Sequence, residues 1–326
     1  MKRDALGMLL RIALILFAVF TVASLAILFT IGPRYGVYLL PPSPQQYAAD
    51  AIGYMDGGLH ASGDEWAAAR ADALQKAESV SSYEEAHALL DEAVKVAGGK
   101  HSAVQPPAAD KRDADEAADA QMTSFELDDQ GILYLKVPQA DMSVESRYYA
   151  DPIAFMKENQ GSIRGAIVDL RGNTGGDMGP MIAAVSPLLP DGTLLEFKMV
   201  AWGYTTPVTL ADGKAEGGGS TVHAEALKLG DVPVAILQDE RTASSGEATL
   251  LAFRGLPNAR TFGSPSAGYC SANSMRALYD GAIILLTTGM DVARTGEEFA
   301  EDPIAPDVES ASALEDARAW LLSEMG

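Results

Sequence analysis

The longest apolar stretch of the chain lies near its N-terminus. Residues 12–31 carry no charged side chain, and a run of about 20 such residues is long enough for a helix to cross a bilayer. Lys2, Arg3 and Arg11 precede the run, so the positive-inside rule predicts a cytoplasmic N-terminus and an extracytoplasmic remainder. We expect an uncleaved, single-pass anchor in the cytoplasmic membrane; a signal peptide cleaved near residues 24–26 is the alternative.

Helical periodicity dominates the next part of the chain. A proline-containing linker over residues 32–44 is followed by a predicted helical subdomain over residues 45–100. Ser62 and Ser82 each open a capping-box pattern, with a glutamate three residues later, ahead of apolar positions at helical spacing. His87 falls on the second apolar stripe, which indicates a packed helix residue rather than a catalyst.

Strands and helices alternate over residues 101–326, and this order predicts an α/β core. Pro152 is expected to interrupt a helix within this core. Residues 108–121 are charged and rich in alanine, which is typical of a solvated loop, and residues 212–220 form a second predicted loop. The predicted elements are strands at residues 124–127, 132–137, around Ile167, 194–200, 232–237, 275–279 and 282–288, and helices at residues 66–77, 83–97, 144–158, 181–189 and 245–254.

Charge and composition exclude several classes of function. The net charge of −21 argues against nucleic-acid binding. The single cysteine, Cys270, excludes an intrachain disulfide and is interpreted as a buried structural residue. The histidines are scattered, and the sequence has neither a His-Glu-x-x-His motif nor paired cysteines, so we predict no metal ion and no cofactor.

A serine on a turn of small residues is the first sign of chemistry. The sequence Thr-Ala-Ser-Ser-Gly-Glu at residues 242–247 follows the apolar run 232–237 and opens a predicted helix. Ser244 is therefore expected at the end of a sheet, where unpaired N–H groups of a helix start can stabilise an oxyanion. The alternative is an ordinary helix cap, for which serine, threonine and glycine are also favoured.

Two further segments combine glycines with polar side chains. Residues 165–176, Gly-Ala-Ile-Val-Asp-Leu-Arg-Gly-Asn-Thr-Gly-Gly, predict a buried strand that runs into a glycine-rich turn with N–H groups available to an anion. The sequence Gly-Gly-Lys-His-Ser at residues 98–102 places His101 on a loop after a helix. The simpler interpretations are a tight strand-to-helix connection and a histidine that caps nearby backbone.

Taken together, these motifs resemble those of the S41 serine peptidases, the family of C-terminal processing (tail-specific) proteases and the tricorn core. The resemblance covers residues 45–310 and keeps the family's order of the three motifs. The stretches at residues 260–268 and 303–307 also match. The resemblance implies a spiral ββα core like that of ClpP and the crotonases, with an N-terminal helical subdomain.

The resemblance also distinguishes between two catalytic mechanisms. The tail-specific branch uses a serine–lysine dyad with the lysine directly after Thr-Phe-Gly, but here Ser264 follows that tripeptide and no lysine follows Lys228. The tricorn-like branch pairs its serine with a histidine and a glutamate, and His101 is at the matching place. The stretch between His101 and Ile132 is too short for the PDZ domain of many tail-specific members.

The resemblance therefore implies a Ser-His-acid site. Ser244 is the predicted nucleophile and His101 its general base, since a histidine with a pKa near 6.5 can carry a proton at neutral pH. The predicted oxyanion hole consists of the backbone N–H of Ser245 and one N–H from Gly175 or Gly176.

The acid of this site is left open among three candidates, Glu298, Glu301 and Asp302, of which we prefer Glu301. For each of them the alternative is an acidic surface loop. Ser102 is expected to help connect the acid to the histidine. Asp169 and Arg171, by contrast, are expected to shape the glycine turn rather than to react.

The predicted function is a membrane-anchored serine peptidase that hydrolyses peptide bonds through an acyl-enzyme. Its expected partners are a peptide or protein substrate and the membrane, and the sequence does not define an oligomeric state. Two alternatives stay open at this point: a non-catalytic ligand-binding protein on the same fold, and a hydrolase of small esters or amides.

Overall fold

The structure is a computed structural model that describes residues 2–32, 36–107 and 121–326. Residue contacts divide the chain into two compact units. The helical unit comprises Met1–Ala109 and Ser274–Leu286, and the sheet unit comprises Asp110–Asn273 and Thr287–Gly326. The segment Ser274–Leu286, which was expected in the α/β core, therefore belongs to the helical unit by its contacts, whereas the predicted functional boundary at residue 101 stays a prediction.

Helices and strands alternate along most of the described chain. The helices are α1 Lys2–Thr30, α2 Pro44–Met55, α3 Gly63–Ala77, α4 Tyr83–Gly98, α5 Arg147–Glu158, α6 Met178–Val185, α7 Ser245–Leu251 and α8 Ala313–Met325. The strands are β1 Ala103–Gln105, β2 Ser124–Leu127, β3 Ile132–Lys136, β4 Gly165–Asp169, β5 Gly192–Met199, β6 Tyr204–Ala211, β7 Lys214–Glu216, β8 Val222–His223, β9 Val234–Gln238, β10 Ala259–Gly263, β11 Ser271–Ala277, β12 Ile283–Ala293, β13 Glu298–Phe299 and β14 Val308–Glu309.

The first helix of the helical unit differs from the others because its apolar side chains are exposed. The part Arg11–Thr30 of α1 is long and apolar enough to cross a membrane. Its phenylalanines at positions 17, 20 and 29 are each more than half exposed, a state that costs free energy in water and suits a lipid environment. The predicted apolar span at residues 12–31 is helical up to Thr30, where α1 ends.

Helices α2, α3 and α4 pack around a core of their own. Ile52, Met55, Leu90 and Val94 are completely or almost completely buried in it. His87 lies at the edge of this core, where its Nε2 is 2.9 Å from the Tyr47 hydroxyl and 2.8 Å from an Asp280 carboxylate oxygen. The helical unit thus uses this histidine for packing and hydrogen bonding, as the helical stripe indicates.

Only one of the two predicted helix caps uses its serine. The Ser82 hydroxyl accepts a hydrogen bond from the Glu85 N–H at 3.2 Å, whereas the Glu85 carboxylate turns to the N–H of Ser81. Ser62 makes no side-chain capping bond, so that prediction was wrong. Gly63 adopts a φ of +75° directly after Ser62, and this turn departs from the geometry that a capping box requires.

The sheet unit is built on a largely parallel sheet with the strand order β14-β10-β9-β4-β3-β2. Strand β2 pairs antiparallel with β3 through the predicted hairpin, and the other neighbours in this sheet are parallel. Because parallel strands end at the same edge, the loops after β3, β4, β9 and β10 meet there. A second, antiparallel group in this unit has the order β12-β5-β6-β7-β8.

Both faces of the parallel sheet are buried. Leu133, Leu135 and Val168 point to a core that includes α5, α6 and α7. Their neighbours Ile132 and Ile167 point to the opposite face, where α8 covers them. This alternation explains why β4 and β9 are buried at every position and mostly apolar, and it confirms the predicted α/β class.

Two sequence predictions fail in the sheet unit. Helix α5 is continuous through Pro152, which was expected to break it. Proline removes one backbone N–H, and the Tyr148 carbonyl that loses its partner instead accepts a 2.7 Å hydrogen bond from the Thr123 hydroxyl. The predicted loop at residues 212–220 contains strand β7, which pairs with β6, an element that sequence analysis did not predict. The predicted loop at residues 108–121 lies outside the described residues except for its last position.

Candidate active site

The glycine turn after β4 is fixed by a buried carboxylate. Asp169 accepts two hydrogen bonds from the Arg171 guanidinium, at 2.9 and 2.7 Å, and one from the Tyr134 hydroxyl at 2.6 Å. Burial opposes ionisation, but these bonds and the nearby charge of Lys136 hold the pKa of Asp169 below its usual value. Asp169 and Arg171 therefore shape this turn, in agreement with the expectation from sequence.

Asn173 connects this turn to its surroundings. Its side-chain nitrogen donates to the carbonyls of Val137 and Pro138 at 2.9 and 3.1 Å. Its side-chain oxygen accepts from the Gly175 N–H at 2.9 Å, and its backbone carbonyl accepts from the Ala243 N–H at 2.9 Å. The ends of three strands are thus joined through one completely buried residue.

Ser244 lies on the turn between β9 and α7 in a conformation that L-residues rarely adopt. Its φ is +53° and its ψ is −121°, and Asp212 is the other non-glycine residue with positive φ in the described chain. Such a conformation costs about 1–3 kcal/mol and persists only where the surroundings enforce it. Gly175 lies directly against Ser244: a Cβ added to this glycine would be 2.8 Å from the Ser244 Cβ.

Two backbone N–H groups beside Ser244 are available to a ligand. Within the described residues, neither the N–H of Gly176 nor that of Ser245 takes part in a hydrogen bond. The Gly175 N–H is already used by Asn173, whereas the Ser245 hydroxyl donates to the Gly176 carbonyl at 2.7 Å. This arrangement can stabilise a negative charge beside Ser244.

Glu247 is a buried carboxylate next to Ser244 to which sequence analysis assigned no role. Its side chain is completely buried, and its two oxygens accept four hydrogen bonds. The donors are the N–H of Ser244 at 2.9 Å, the N–H of Tyr269 at 2.7 Å, the Ser266 hydroxyl at 2.5 Å and the N–H of Gly268 at 2.8 Å. Burial raises the pKa of Glu247, and these four bonds oppose the shift. The glutamate of the Thr-Ala-Ser-x-x-Glu motif was the available signal.

A second buried acid, Asp291, contacts Cys270, the residue that follows Tyr269. Asp291 on β12 accepts a hydrogen bond from the Cys270 thiol at 3.3 Å. Burial raises the pKa of Asp291 to about 7; the thiol bond opposes the shift, and the charge of Glu247 adds to it. Burial also raises the pKa of Cys270, which argues against a reactive thiolate and agrees with its structural interpretation.

The remaining predicted site residues lie elsewhere in the chain. His101 and Ser102 belong to the helical unit, on the turn that follows Gly99, and Ser102 is buried. Glu301 lies after β13 in the sheet unit and is half-buried. Its alternative Glu298 is paired with Lys198 at 2.7 Å, and the other alternative, Asp302, is exposed. The structure thus brings Ser244, Ser245, Gly175 and Gly176 together, and the catalytic roles of all the predicted site residues stay predictions.

Comparison with known proteins gives consistent similarities. The sequence model of peptidase family S41 matches residues 131–310. The nisin-resistance protein of Lactococcus lactis subsp. lactis is 35% identical over 306 residues, which cover 92% of this chain and 94% of that relative. The structure of a lipoprotein from Streptococcus agalactiae has a TM-score of 0.73 at 30% identity, covering 88% of this chain and 99% of that one. The photosystem II D1 C-terminal processing protease, at 14% identity, shares the fold with a TM-score of 0.57 over 83% of this chain and 94% of its own.

The close approach of Gly175 to Ser244 generates a prediction. Gly175→Ala adds a methyl group that collides with Ser244, so we expect the rate of covalent labelling by a fluorophosphonate to fall at least about tenfold through misplacement of the hydroxyl. Gly172→Ala is the matched control, because Gly172 also has positive φ but has open space around its Cα. Equal labelling rates in the two folded variants would contradict this account.

The raised pKa of Asp291 generates a second prediction. The native state binds this proton more tightly than the unfolded chain, so the associated stability is complete below pH about 4 and is lost as the pH rises through about 7. The asparagine of Asp291→Asn does not titrate, so this variant does not lose that stability as the pH rises. We expect its free energy of unfolding, relative to wild type, to increase between pH about 4 and about 7, as measured by chemical denaturation. The exposed Asp129→Asn is the control, and a difference that does not change with pH would refute the assignment.

Proposed function

Because the chain belongs to peptidase family S41 and is a serine peptidase, we propose that it cleaves peptide bonds through an acyl-enzyme formed on Ser244. The observation that carries this proposal is the strained turn of Ser244, which packs against Gly175 and is flanked by the N–H groups of Gly176 and Ser245. Nucleophiles on such turns are exposed for attack, and nearby N–H groups stabilise the charge that develops on the carbonyl oxygen.

The proposed mechanism uses His101 as general base. His101 accepts the proton of the Ser244 hydroxyl while the oxygen attacks the substrate carbonyl carbon, and the negative oxygen is held by Gly176 and Ser245 N–H. The C–N bond then breaks, and His101 gives the proton to the leaving amine. Water hydrolyses the resulting ester by the same route in reverse. The motif Gly-Gly-Lys-His-Ser supports the choice of this histidine.

We further propose that Glu301 orients His101, with Ser102 between them. Glu301 is favoured over Glu298 and Asp302 because its side chain is half-buried, whereas both of those side chains are exposed. A serine–lysine dyad has no support in this chain, because Ser264 stands at the lysine position and its hydroxyl donates to Glu240 at 3.2 Å. Family membership favours a peptidase over a non-catalytic binding protein.

Fluorophosphonate labelling of the full-length chain in detergent tests these roles. We expect labelling of wild type, none in Ser244→Ala, and a rate at least about 100-fold lower in His101→Ala, because the hydroxyl then lacks its base. Glu301→Gln is expected to lower the rate less than His101→Ala.

Two controls accompany this experiment. Ser264→Ala removes a nearby hydroxyl and His223→Ala an exposed histidine, and both are expected to be labelled like wild type. Labelling that survives in Ser244→Ala would assign the nucleophile elsewhere, and labelling of His101→Ala at the wild-type rate would remove that residue from the mechanism.

The apolar helix and the similarity to a lipoprotein suggest membrane association. We propose the finer arrangement of a single-pass anchor with the peptidase on the extracytoplasmic side, which the basic residues before the helix support. A protease added to intact cells is then expected to degrade the chain beyond α1. A chain that resists this treatment but is degraded after cell lysis contradicts the orientation.

The relative named for nisin resistance supports a finer proposal for the substrate: a peptide antibiotic such as nisin. The identity of 35% extends over nearly the whole of both chains, and it therefore includes the site as well as the scaffold. We expect wild type, but not Ser244→Ala, to convert nisin to products whose masses account for one added water, as measured by mass spectrometry. Intact nisin, together with normal fluorophosphonate labelling, would reject this substrate and retain the peptidase.

A further inference from the structure

Glu247 occupies an unusual environment for a carboxylate. It is completely buried, and the four groups that donate to it are backbone N–H groups and one hydroxyl, none of which carries a charge. Burial of a carboxylate without a cation is costly, and hydrogen bonds from several N–H groups are the remaining way to offset it. An apolar side chain would avoid this cost but would leave the N–H groups of Ser244, Gly268 and Tyr269 without this acceptor, so the carboxylate serves to hold these backbone segments in place.

The two carboxylate oxygens divide their partners in an informative way. Oε2 accepts from the N–H of Ser244 itself and from that of Tyr269, and Oε1 accepts from the Ser266 hydroxyl and the Gly268 N–H. Oε2 therefore links the turn that presents Ser244 to Tyr269, and Oε1 binds Ser266 and Gly268 of the same loop, residues 266–269. The Ser266 hydroxyl in turn accepts from the Ile304 N–H at 2.7 Å.

We propose that Glu247 is a positioning residue of the peptidase. Its carboxylate fixes the Ser244 backbone in its positive-φ conformation and thereby orients the Ser244 hydroxyl for attack on the substrate carbonyl carbon. This inference rests on the proposed function of Ser244. The bond from the Ser244 N–H to Oε2 acts on the strained residue directly, whereas the bonds to Oε1 stabilise the loop beside it. Loss of the first bond lets Ser244 relax to a common conformation, which moves its hydroxyl away from the N–H groups of Gly176 and Ser245.

Glu247→Gln and Ser266→Ala distinguish positioning from stability. The glutamine keeps the shape of the side chain, but its amide nitrogen must face N–H groups that need an acceptor. Ser266→Ala removes one donor to Oε1 and leaves the bond to Ser244 in place. Both variants are expected to unfold at lower denaturant concentration than wild type. Only Glu247→Gln is expected to react more slowly at the nucleophile.

The measurement is a fluorophosphonate titration of the full-length chain that yields the fraction of molecules labelled and the maximal labelling rate per labelled molecule. For Glu247→Gln we expect an unchanged labelled fraction of the folded protein, a maximal rate about 10- to 100-fold below wild type, and a half-saturating probe concentration within about twofold of wild type. Ser266→Ala is expected to keep the wild-type rate. A purely structural role lowers the labelled fraction and leaves the rate per labelled molecule unchanged, and that result overturns the proposal.

A second variant covers the case in which Glu247→Gln does not fold. Glu247→Asp keeps the negative charge but is shorter by one methylene group, so its carboxylate cannot reach both the Ser244 turn and the loop at residues 266–269. We expect a reduced maximal rate here too, and a wild-type rate rejects the inference. If wild type itself is not labelled, the proposed function of Ser244 fails and this inference falls with it. If wild type is labelled and Ser244→Ala is not, a wild-type rate in both Glu247 variants overturns only the positioning role.

Discussion

The hydrogen bond between the Ala243 N–H and the Asn173 carbonyl joins the two turns on which the candidate site depends. It forms because β4 and β9 are parallel neighbours in register, with Asp169 opposite Leu237, so the segments that leave them run side by side. A shift of the register by one residue would turn every side chain of a strand to the other face of the sheet. Since both faces are packed with helices, the apolar cores fix the register, and through it the approach of Gly175 to Ser244.

This edge of the sheet concentrates polar groups that are costly to bury. Asp169 is stabilised by Arg171, so its charge has a partner of opposite sign. Within the described parts of the chain, Glu247 has no cationic partner and depends on four neutral donors. Asp291, whose pKa is about 7, avoids part of the cost by retaining its proton up to neutral pH. The cost of burying an acid is thus offset in a different way for each of the three. Each of them lies next to a loop of the candidate site.

Features that depend on residues close together in the sequence could be predicted, whereas features that depend on residues far apart in the sequence could not. Strands such as β3 and β4 were predicted because an apolar run bounded by glycine is a local signal. The continuity of α5 through Pro152 was not predicted, because the hydroxyl that bonds to the free Tyr148 carbonyl belongs to Thr123, which lies outside the helix. Glu247 is a similar case. The motif marked its position, but its hydrogen bonds reach the loop at residues 266–269, beyond strand β10, and no local pattern reveals such a contact.

Under the proposed mechanism, the nucleophile turn and the general base come from different segments of the chain. The parallel sheet supplies the nucleophile turn and the N–H donors, and these depend on Asn173, Gly175 and Glu247 rather than on the base. The position after Thr-Phe-Gly, where the tail-specific branch has lysine, directly follows β10 and is occupied here by Ser264, whose hydroxyl donates to Glu240. A general base needs only to reach the serine hydroxyl, so it can come from different segments of the chain while the scaffold for attack is conserved in form. The fold is shared with a processing protease at 14% identity, as expected where packing and strand register, rather than the identity of most side chains, define the scaffold.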